Sequence, residues 1–358
     1  MPRNERERLH PTPRILRLAT RGSPLALWQA TRVGDLLSEL QDGPLTEPLI
    51  VHTTGDDQLD VSLDRLGGQG VFVNEVQAAV LDGRADAAVH SAKDLPSSTP
   101  SGLVLASVPL RDDPRDAMVG MRLADLEAGA TVATGSVRRR SQLAWLRPDL
   151  TFCDLRGNIA RRVERATTVG AGIAAVAALG RLGMAGSIAE VIDPAVMLPQ
   201  AGQGALAVEC GTGDDELIGW LARIDDELAH LALLAERSFL ATLGGGCTLP
   251  VAALATVTPT TLGGPKSAAM PGGERVFLQG LIASRDGRVL LRRQASGDDP
   301  GEVGHRLAIE LVEQSGGRLL DDWEDWDHDL RVPSDPQLPT GQPEASEMPR
   351  PAERGQLR

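Results

Sequence analysis

The segment HSAKDLP, residues 90 to 96, places a histidine, a lysine and an aspartate directly after an apolar run. If that run is a strand, His90, Lys93 and Asp94 lie where the strand ends, at the edge of a sheet. A carboxylate beside an ammonium group stays ionised and can stabilise a cation or transfer a proton. Taken alone, the segment fits an ordinary turn with a Lys-Asp pair at least as well as it fits a catalytic site.

Arginines are concentrated between residues 131 and 170, where eight arginines stand against three acidic residues. In TGSVRRRSQL, Ser136 precedes a predicted helix that has Arg138 and Arg139 in its first turn, and DLRGNIARR repeats the arrangement with Arg156 and Arg162. Free backbone N–H groups and guanidinium groups at a helix start attract carboxylates or phosphates. Because arginines there oppose the helix dipole, the pattern favours an anion site over a purely structural role.

Two other junctions carry residues that could contact an anion. In ATRGSPLALWQ, Arg21 and Ser23 lie between a predicted strand and a helix, although Ser23 is also a natural N-cap. In PQAGQGALAVEC, Gln203 and Gly204 precede an apolar strand, and this loop is either a hinge or a place where the backbone approaches a ligand. The segment RDDPRDA, residues 111 to 117, is interpreted as an interdomain salt-bridge segment in preference to a site.

The three cysteines, Cys153, Cys210 and Cys247, are far apart and lack the paired spacing of a disulfide frame, a zinc site or a redox couple. This indicates a reducing compartment and no metal. Cys247 lies in LGGGCTLP, and none of the six histidines stands out as its base, so it is a poor nucleophile. An accessible thiol among glycines is better suited to covalent attachment than to an inert packing role.

The net charge of −13 argues against a nucleic-acid partner, because an acidic body repels phosphate backbones. The first twenty residues contain no apolar stretch typical of a secretion signal, and no uninterrupted apolar run in the sequence has membrane-spanning length. We therefore expect a cytoplasmic protein without a membrane partner.

Apolar runs alternate with helical patterns up to about residue 200, which is typical of α/β sheets, and a smaller α+β pattern follows. The pattern predicts a first α/β unit up to about residue 109, a second from about 110 to 200 and a smaller α+β unit that begins with a helix near residue 225. Residues 1–13 and 331–358 are predicted to be disordered tails. The first helix is expected to start at Pro24, with Ser23 as its N-cap.

Eight segments resemble, in their order and spacing, those of the porphobilinogen deaminase (hydroxymethylbilane synthase) family. They are LRLATRGSPLALWQA, GGQGVFVNEV, ADAAVHSAKDLP, RDDPRDA, TGSVRRRSQLAWLRP, LRGNIARR, AGQGALAVEC and GGGCTLP. The resemblance covers about residues 15 to 315, and the set is specific although no single member is.

The resemblance implies a fold of two α/β domains similar to type 2 periplasmic-binding-protein lobes, plus a small C-terminal α+β domain. It implies a transferase that deaminates four porphobilinogen molecules and joins them head to tail into hydroxymethylbilane, in tetrapyrrole (haem) biosynthesis. The chain would grow on a dipyrromethane cofactor, itself built from substrate and held by a thioether to Cys247. A monomer is the expectation for this family.

By motif position, the resemblance implies that Asp94 is the catalytic carboxylate, which stabilises the azafulvene cation left by loss of ammonia. Each pyrrole ring carries an acetate and a propionate, and basic side chains would bind them. Besides Cys247, the residues implied to hold the cofactor are Lys93, Ser136, Arg138, Arg139, Arg156 and Gly204. Those implied to bind substrate are Arg21, Ser23, Phe72, Arg156, Arg162 and Gln203.

The sequence departs from the usual pattern of the family at three positions. Gln69 stands where a lysine is common, Thr54 where a basic residue often precedes Gly-Asp, and Gly170 where aspartate commonly precedes a strand. The competing hypothesis is a non-catalytic, two-lobed protein that binds or senses a small anion. That hypothesis accounts for the arginines but leaves Cys247 in a third domain without a purpose.

Overall fold

The computed structural model describes residues 14–53, 73–245, 249–259 and 274–320. The strands of this part of the chain are β1 (Ile15–Arg21), β2 (Leu45–Val51), β3 (Ala87–Ser91), β4 (Leu103–Ser107), β5 (Asp116–Val119), β6 (Thr131–Ala133), β7 (Thr151–Cys153), β8 (Ala171–Ala175), β9 (Ile188–Val191), β10 (Leu206–Gly211), β11 (Val251–Pro259), β12 (Glu274–Ala283) and β13 (Leu290–Gly297). The helices are α1 (Pro24–Ser38), α2 (Asn74–Leu81), α3 (Val137–Leu146), α4 (Ile159–Val169), α5 (Val176–Arg181), α6 (Asp215–Ala222), α7 (Glu227–Thr242) and α8 (Pro300–Ile309). The predicted tails at 1–13 and 331–358 lie outside the described residues.

The first two sheets have the same strand order. The first sheet runs β2-β1-β3-β10-β4 and the second runs β7-β6-β8-β5-β9. Strands β10 and β5 are antiparallel to both of their neighbours, whereas the pairs β1–β2, β1–β3, β6–β7 and β6–β8 are parallel. Each antiparallel strand is the first one that the chain forms after it crosses from one sheet to the other. The first crossing, residues 108–115, leads into β5, and the second crossing, residues 192–205, leads into β10. Both crossings therefore lead into a strand that has a neighbouring strand on each side.

The local sequence determines where helix α1 starts. Ser23 Oγ accepts a hydrogen bond from the Ala26 backbone N–H at 3.2 Å, and Pro24 opens the helix. The buried face of α1 packs through Val33 and Leu37 on the residues of β1. Burying such a side chain stabilises the fold by roughly 1.5–3 kcal/mol relative to leaving it exposed. The predicted N-cap and helix start are confirmed.

The third sheet consists of β11, β12 and β13 in antiparallel order, with α7 and α8 packed against it. Phe239 of α7 and Leu307 of α8 are fully buried and cover Gly280 of β12. A side chain at Gly280 would lie 2.8 Å from the Phe239 ring, so glycine lets the helices approach the sheet. The predicted fold class, two α/β units followed by a smaller α+β unit, is confirmed by these three sheets.

The two crossings are joined to each other between the first two sheets. The Asp112 backbone N–H donates to the Gly204 carbonyl at 3.2 Å, and Arg111 Nε donates to the Gln203 carbonyl at 2.9 Å. Arg181, at the end of α5, donates to the Gly204 carbonyl at 2.7 Å and to the Asp112 carboxylate at 2.8 Å. The crossings thus form one hydrogen-bonded connection between the two α/β units.

Gly204 is expected to be the least replaceable glycine of this connection. Its φ is 87°, and an added Cβ would collide with the Asp112 carbonyl oxygen. We expect Gly204→Ala to lower the free energy of unfolding by about 2 kcal/mol or more, through left-handed strain plus this clash. Gly129, with φ 80° and open space around it, is the matched control. Equal losses for Gly204→Ala and Gly129→Ala in chemical denaturation would show that the contact with Asp112 is unimportant.

Candidate active site

Asp94 lies at the end of β3, in a single 3₁₀ turn that spans Ala92–Asp94. It lines a small cavity, open to solvent, together with Arg21 and Ser23 from the junction of β1 and α1. The cavity lies where β1 and β3 end, which is where ligands bind in α/β sheets. The structure therefore brings together three of the residues named from the sequence.

Lys93 is next to Asp94 and reaches towards the returning crossing. Its Nζ lies 3.5 Å from Gln203 Oε1. Burial lowers the pKa of Lys93 to about 8, against the attraction of Asp94, and the positive charges of Arg139 and Arg162 lower it further. Lys93 is therefore mainly charged at pH 7 and loses its proton as the pH rises through about 8.

The arginine-rich turns have the predicted form of a strand followed by a capped helix. Ser136 Oγ accepts from the Arg139 backbone N–H at 3.4 Å, and Asn158 Oδ1 accepts from the Arg161 backbone N–H at 3.0 Å. Arg162 folds back on its own turn, where its Nε donates to the Gly157 carbonyl at 2.7 Å. These caps keep the first turns of α3 and α4 fixed beside the cleft.

A fully buried carboxylate, Asp116 at the start of β5, organises the arginines of α3. Its Oδ2 accepts from Arg138 Nη1 at 2.8 Å, and its Oδ1 accepts from Arg139 Nη2 at 2.7 Å and from Gln203 Nε2 at 2.9 Å. Burial alone would raise the pKa of Asp116, but Arg138 and Arg139 outweigh it and hold the pKa below the usual range. The pairing agrees with the salt-bridge interpretation of RDDPRDA, and it extends that segment's role to the arginines predicted to bind an anion.

The charges of the remaining predicted residues also converge in this cleft. Burial lowers the pKa of Arg162, and the nearby positive charges of Arg139, Arg156 and Arg21 add to that lowering. The carboxylate of Asp94 acts in the opposite direction and favours the charged guanidinium. Asp94 thus lies near several cations that come from both α/β units, although the whole chain carries a charge of −13.

Arg138 offers donors that a bound anion would satisfy. Its Nη1 also donates to the Leu198 carbonyl at 2.8 Å, but its Nε and Nη2 are buried without a hydrogen-bond partner. Buried N–H groups of this kind are rare in native proteins and call for an explanation. A guanidinium edge with two free donors fits a carboxylate in a bidentate arrangement. The donor set therefore fits a group that carries several carboxylates, as dipyrromethane does.

Arg181 is a cleft residue that the sequence reasoning missed. Its guanidinium lies 5.4 Å from the centre of the Trp28 ring, in a cation–π contact between α5 and α1. It therefore links the two α/β units while it also binds the crossings at Asp112 and Gly204. Arg181 stands out in the sequence as a single arginine at the end of an alanine-rich helix. It lacks the strand-to-helix turn that marks the other arginines, so the sequence pattern does not single it out as a binding residue.

Several predicted positions lie outside the described residues, namely Thr54, Gln69, Phe72 and Cys247. The described elements on either side of Cys247 are α7, which ends at Thr242, and β11, which starts at Val251. Gly170 has φ 113° at the end of α4, a conformation that favours glycine over the aspartate common in the family.

The described residues contain no group of three or more His, Cys, Asp or Glu side chains that could hold a metal ion. Cys153 and Cys210 are free thiols, and burial raises the pKa of Cys210 to about 11. None of the helices described is both long enough and apolar enough to cross a membrane.

Sequence comparison decides the family. Residues 16–219 match the profile described as porphobilinogen deaminase, dipyromethane cofactor binding domain, and residues 230–313 match that of the C-terminal domain. The chain belongs to the porphobilinogen deaminase family. It is 44% identical to the porphobilinogen deaminase of Roseiflexus sp. (strain RS-1) over 309 residues, which are 85% of this chain and 97% of that protein. It is 37% identical to the porphobilinogen deaminase of Bacillus subtilis (strain 168) over 314 residues, 86% of this chain and 96% of that protein.

Among solved structures, that of the methionine-binding protein MetQ is similar to this one over a region that covers 59% of this chain and 89% of the MetQ chain. The TM-score is 0.37 and the identity is 12%, a likeness too weak to bear on the function of a porphobilinogen deaminase family member.

Asp116 gives a test of the buried charge arrangement. Asp116→Asn leaves Arg138 and Arg139 buried without their counter-charge, so we expect the free energy of unfolding to fall by about 3–5 kcal/mol at pH 7. Because the pKa of Asp116 is held below 3.8, the carboxylate's contribution is complete above that pH. The difference between wild type and variant should therefore shrink only in stronger acid. Denaturant titrations at several pH values measure it.

The matched control is Asp149→Asn, which removes an exposed partner of Arg147. We expect its unfolding midpoint to stay close to that of the wild type. A loss for Asp116→Asn no larger than that of the control would contradict the proposed dependence of the arginines on Asp116.

Proposed function

We propose that this chain is a hydroxymethylbilane synthase, which deaminates four porphobilinogen molecules and joins them head to tail into hydroxymethylbilane. The observation that carries the proposal is the position of Asp94, which is the carboxylate among the described residues that line a cavity with cations from both α/β units around it. Family membership supports the same reaction, since the relatives named porphobilinogen deaminase align over nearly their whole length.

Asp94 is the group proposed to act on the reacting ring. Loss of ammonia from porphobilinogen leaves a positively charged pyrrole fragment, and a carboxylate beside its ring nitrogen stabilises that charge and can take up the ring proton. Lys93 is adjacent in the same turn, and the negative charge of Asp94 favours its charged form, against the burial that lowers its pKa to about 8. Catalysis is thus assigned to Asp94 alone.

The basic residues of the cleft are proposed to hold the acetate and propionate groups of the rings. Each added ring brings two carboxylates, so the negative charge in one cavity grows with every condensation. The residues proposed for the substrate are Arg21, Ser23, Phe72, Arg156, Arg162 and Gln203. Guanidinium groups suit this task because they bind carboxylates in two-pronged pairs and remain charged when buried.

The proposed cofactor is dipyrromethane, bound through a thioether to Cys247, and it supplies the end to which substrate units are added. Its carboxylates are assigned to Lys93, Ser136, Arg138, Arg139, Arg156 and Gly204. The unpartnered Nε and Nη2 of Arg138 support this assignment. Helices α3 and α4 start after the parallel strands β6 and β7, so their first turns lie at the same edge of the second sheet. The free N–H groups of these turns favour anions.

We also propose the domain division 14–109 plus 203–225, 110–202 and 226–325. The return of β10 into the first sheet and the separate sheet β11-β12-β13 support it. A cytoplasmic monomer without nucleic-acid or membrane partners is the proposed state. The acidic net charge and the absence of a paired cysteine spacing support these points.

The competing hypothesis is a two-lobed protein that binds a small anion without chemistry. It accounts for the cleft, but it gives no role to the cysteine that follows α7. The match of residues 16–219 to a cofactor-binding domain favours the enzyme.

Intact mass and turnover of three purified proteins test the proposed function together. We expect the wild type to carry a mass excess of two porphobilinogen units less two ammonias, and Cys247→Ala to lack it. Asp94→Ala should keep the fold and the mass excess while kcat falls by roughly 10²-fold or more, because only the reacting carboxylate is lost.

Asp113→Ala is the matched control, because Asp113 lies in a crossing, pairs with Arg115 and does not line the cavity. We expect its kcat to remain near that of the wild type. An active wild type with an unmodified mass would contradict the proposed covalent cofactor. Near-normal turnover by Asp94→Ala would contradict the catalytic role proposed for Asp94.

A further inference from the structure

Helix α7 carries two consecutive charged residues, Glu236 and Arg237, that are both buried. Glu236 is fully buried, and Arg237 is 9% exposed. The helix ends at Thr242, five residues before Cys247. Buried charges are costly unless they are paired, so their partners indicate what the helix holds in place.

The carboxylate of Glu236 accepts four hydrogen bonds. Its Oε1 accepts from Arg111 Nη1 at 2.7 Å and from the Ala255 backbone N–H at 2.8 Å. Its Oε2 accepts from the Gly202 backbone N–H at 2.6 Å and from Arg111 Nη2 at 3.1 Å. Arg111 belongs to the first crossing, Gly202 to the second and Ala255 to β11 of the third sheet. One side chain therefore joins α7 and the third sheet to both connections between the α/β units.

The guanidinium of Arg237 holds the loop that follows Asp94. Its Nη1 donates to the Pro96 carbonyl at 2.7 Å, and its Nη2 donates to Thr99 Oγ1 at 3.2 Å. Burial lowers the pKa of Arg237, and the nearby carboxylate of Glu209 in β10 acts in the opposite direction. Arg237 therefore ties α7 to residues two and five positions after the catalytic aspartate.

We propose that Glu236 and Arg237 are positioning residues that hold helix α7, which ends five residues before Cys247, in a fixed relation to the loop after Asp94 and to the crossings. Consecutive side chains point about 100° apart around a helix, so one residue reaches the crossings while the next reaches the Asp94 loop. This inference rests on the proposed function, because it requires a group attached at Cys247 to meet Asp94.

We expect replacement of Glu236 or Arg237 to misalign the reacting groups while substrate binding changes little. Reacting groups held about 1 Å out of place can lose on the order of 10²-fold in rate. Apart from Gln203 in the second crossing, the described residues assigned to the substrate lie on elements that Glu236 and Arg237 do not contact, so most of that binding should persist. We therefore expect kcat to change and KM to stay nearly constant.

The variants that test this are Glu236→Gln and Arg237→Gln, with Arg237→Lys as the conservative replacement. We expect kcat to fall about 10- to 100-fold for both glutamine variants, with KM within about twofold of the wild type. Arg237→Lys keeps the charge and one donor for the Pro96 carbonyl, so it should recover part of the lost kcat. If Glu236→Gln does not fold, Arg111→Lys replaces it, with a loss of about threefold or more expected.

Hydrogen exchange supplies a readout that is independent of turnover, and it is measured in a Cys247→Ala background, which has no attached group. Arg237→Gln should speed exchange in residues 92–99, and Glu236→Gln should speed exchange at Gly202 and Ala255, whose N–H groups the carboxylate binds. The control is Leu217→Ala, which destabilises the buried core of α6 without touching α7. At a temperature where all variants are folded, it should leave kcat and exchange in these segments unchanged.

Unchanged kcat in the glutamine variants, or unchanged exchange in the named segments, would overturn the inference. So would a loss of kcat in Leu217→Ala as large as that in Glu236→Gln. If the wild type itself makes no hydroxymethylbilane, the proposed function fails instead, and the two failures are thus distinguishable.

Discussion

The cleft depends on one buried carboxylate, that of Asp116. Arg138, Arg139 and Gln203 all donate to it, and they come from a helix of the second α/β unit and from the returning crossing. Without this negative charge, two guanidinium groups would be held inside the protein at a high electrostatic cost. With it, they are fixed in a preorganised arrangement before any ligand arrives, so the binding of a carboxylate does not have to order them.

The same interaction explains how an acidic protein keeps a basic cleft. The chain has a net charge of −13, yet Arg139 and Arg162 lie close enough to Lys93 for their charges to lower its pKa, and the charge of Arg139 also lowers the pKa of Arg162. The carboxylates of Asp94 and Asp116 offset part of the repulsion among these cations, and an anionic ligand would reduce it further. A product that gains two carboxylates with each ring suits a cavity with this surplus of positive charge, and Asp94 is the carboxylate among the described residues that line it.

Much of this arrangement could be predicted from local sequence, because local chemistry specifies it. Ser23 with Pro24, Ser136 and Asn158 mark helix starts through their own side chains, and strand ends place Lys93 and Asp94 at the cleft. The contacts of Asp116 and Glu236 could not be predicted, because they join residues far apart in the chain. Asp116 meets Gln203 only because β5 and β10 are inserted as antiparallel strands in different sheets. Segment RDDPRDA was therefore recognised as a salt-bridge region, but its connection to the arginines of α3 was not.

A crystal structure of the purified protein with its attached group tests the central claim most directly. The account requires continuous density from Cys247 Sγ into the cleft, with carboxylate oxygens roughly 3 Å from Arg138 Nε and Nη2. It also requires the pyrrole nitrogens to face the carboxylate of Asp94. Density that leaves Cys247 away from the cleft, or a bound group whose carboxylates avoid Arg138 while Asp94 faces solvent, would contradict the account.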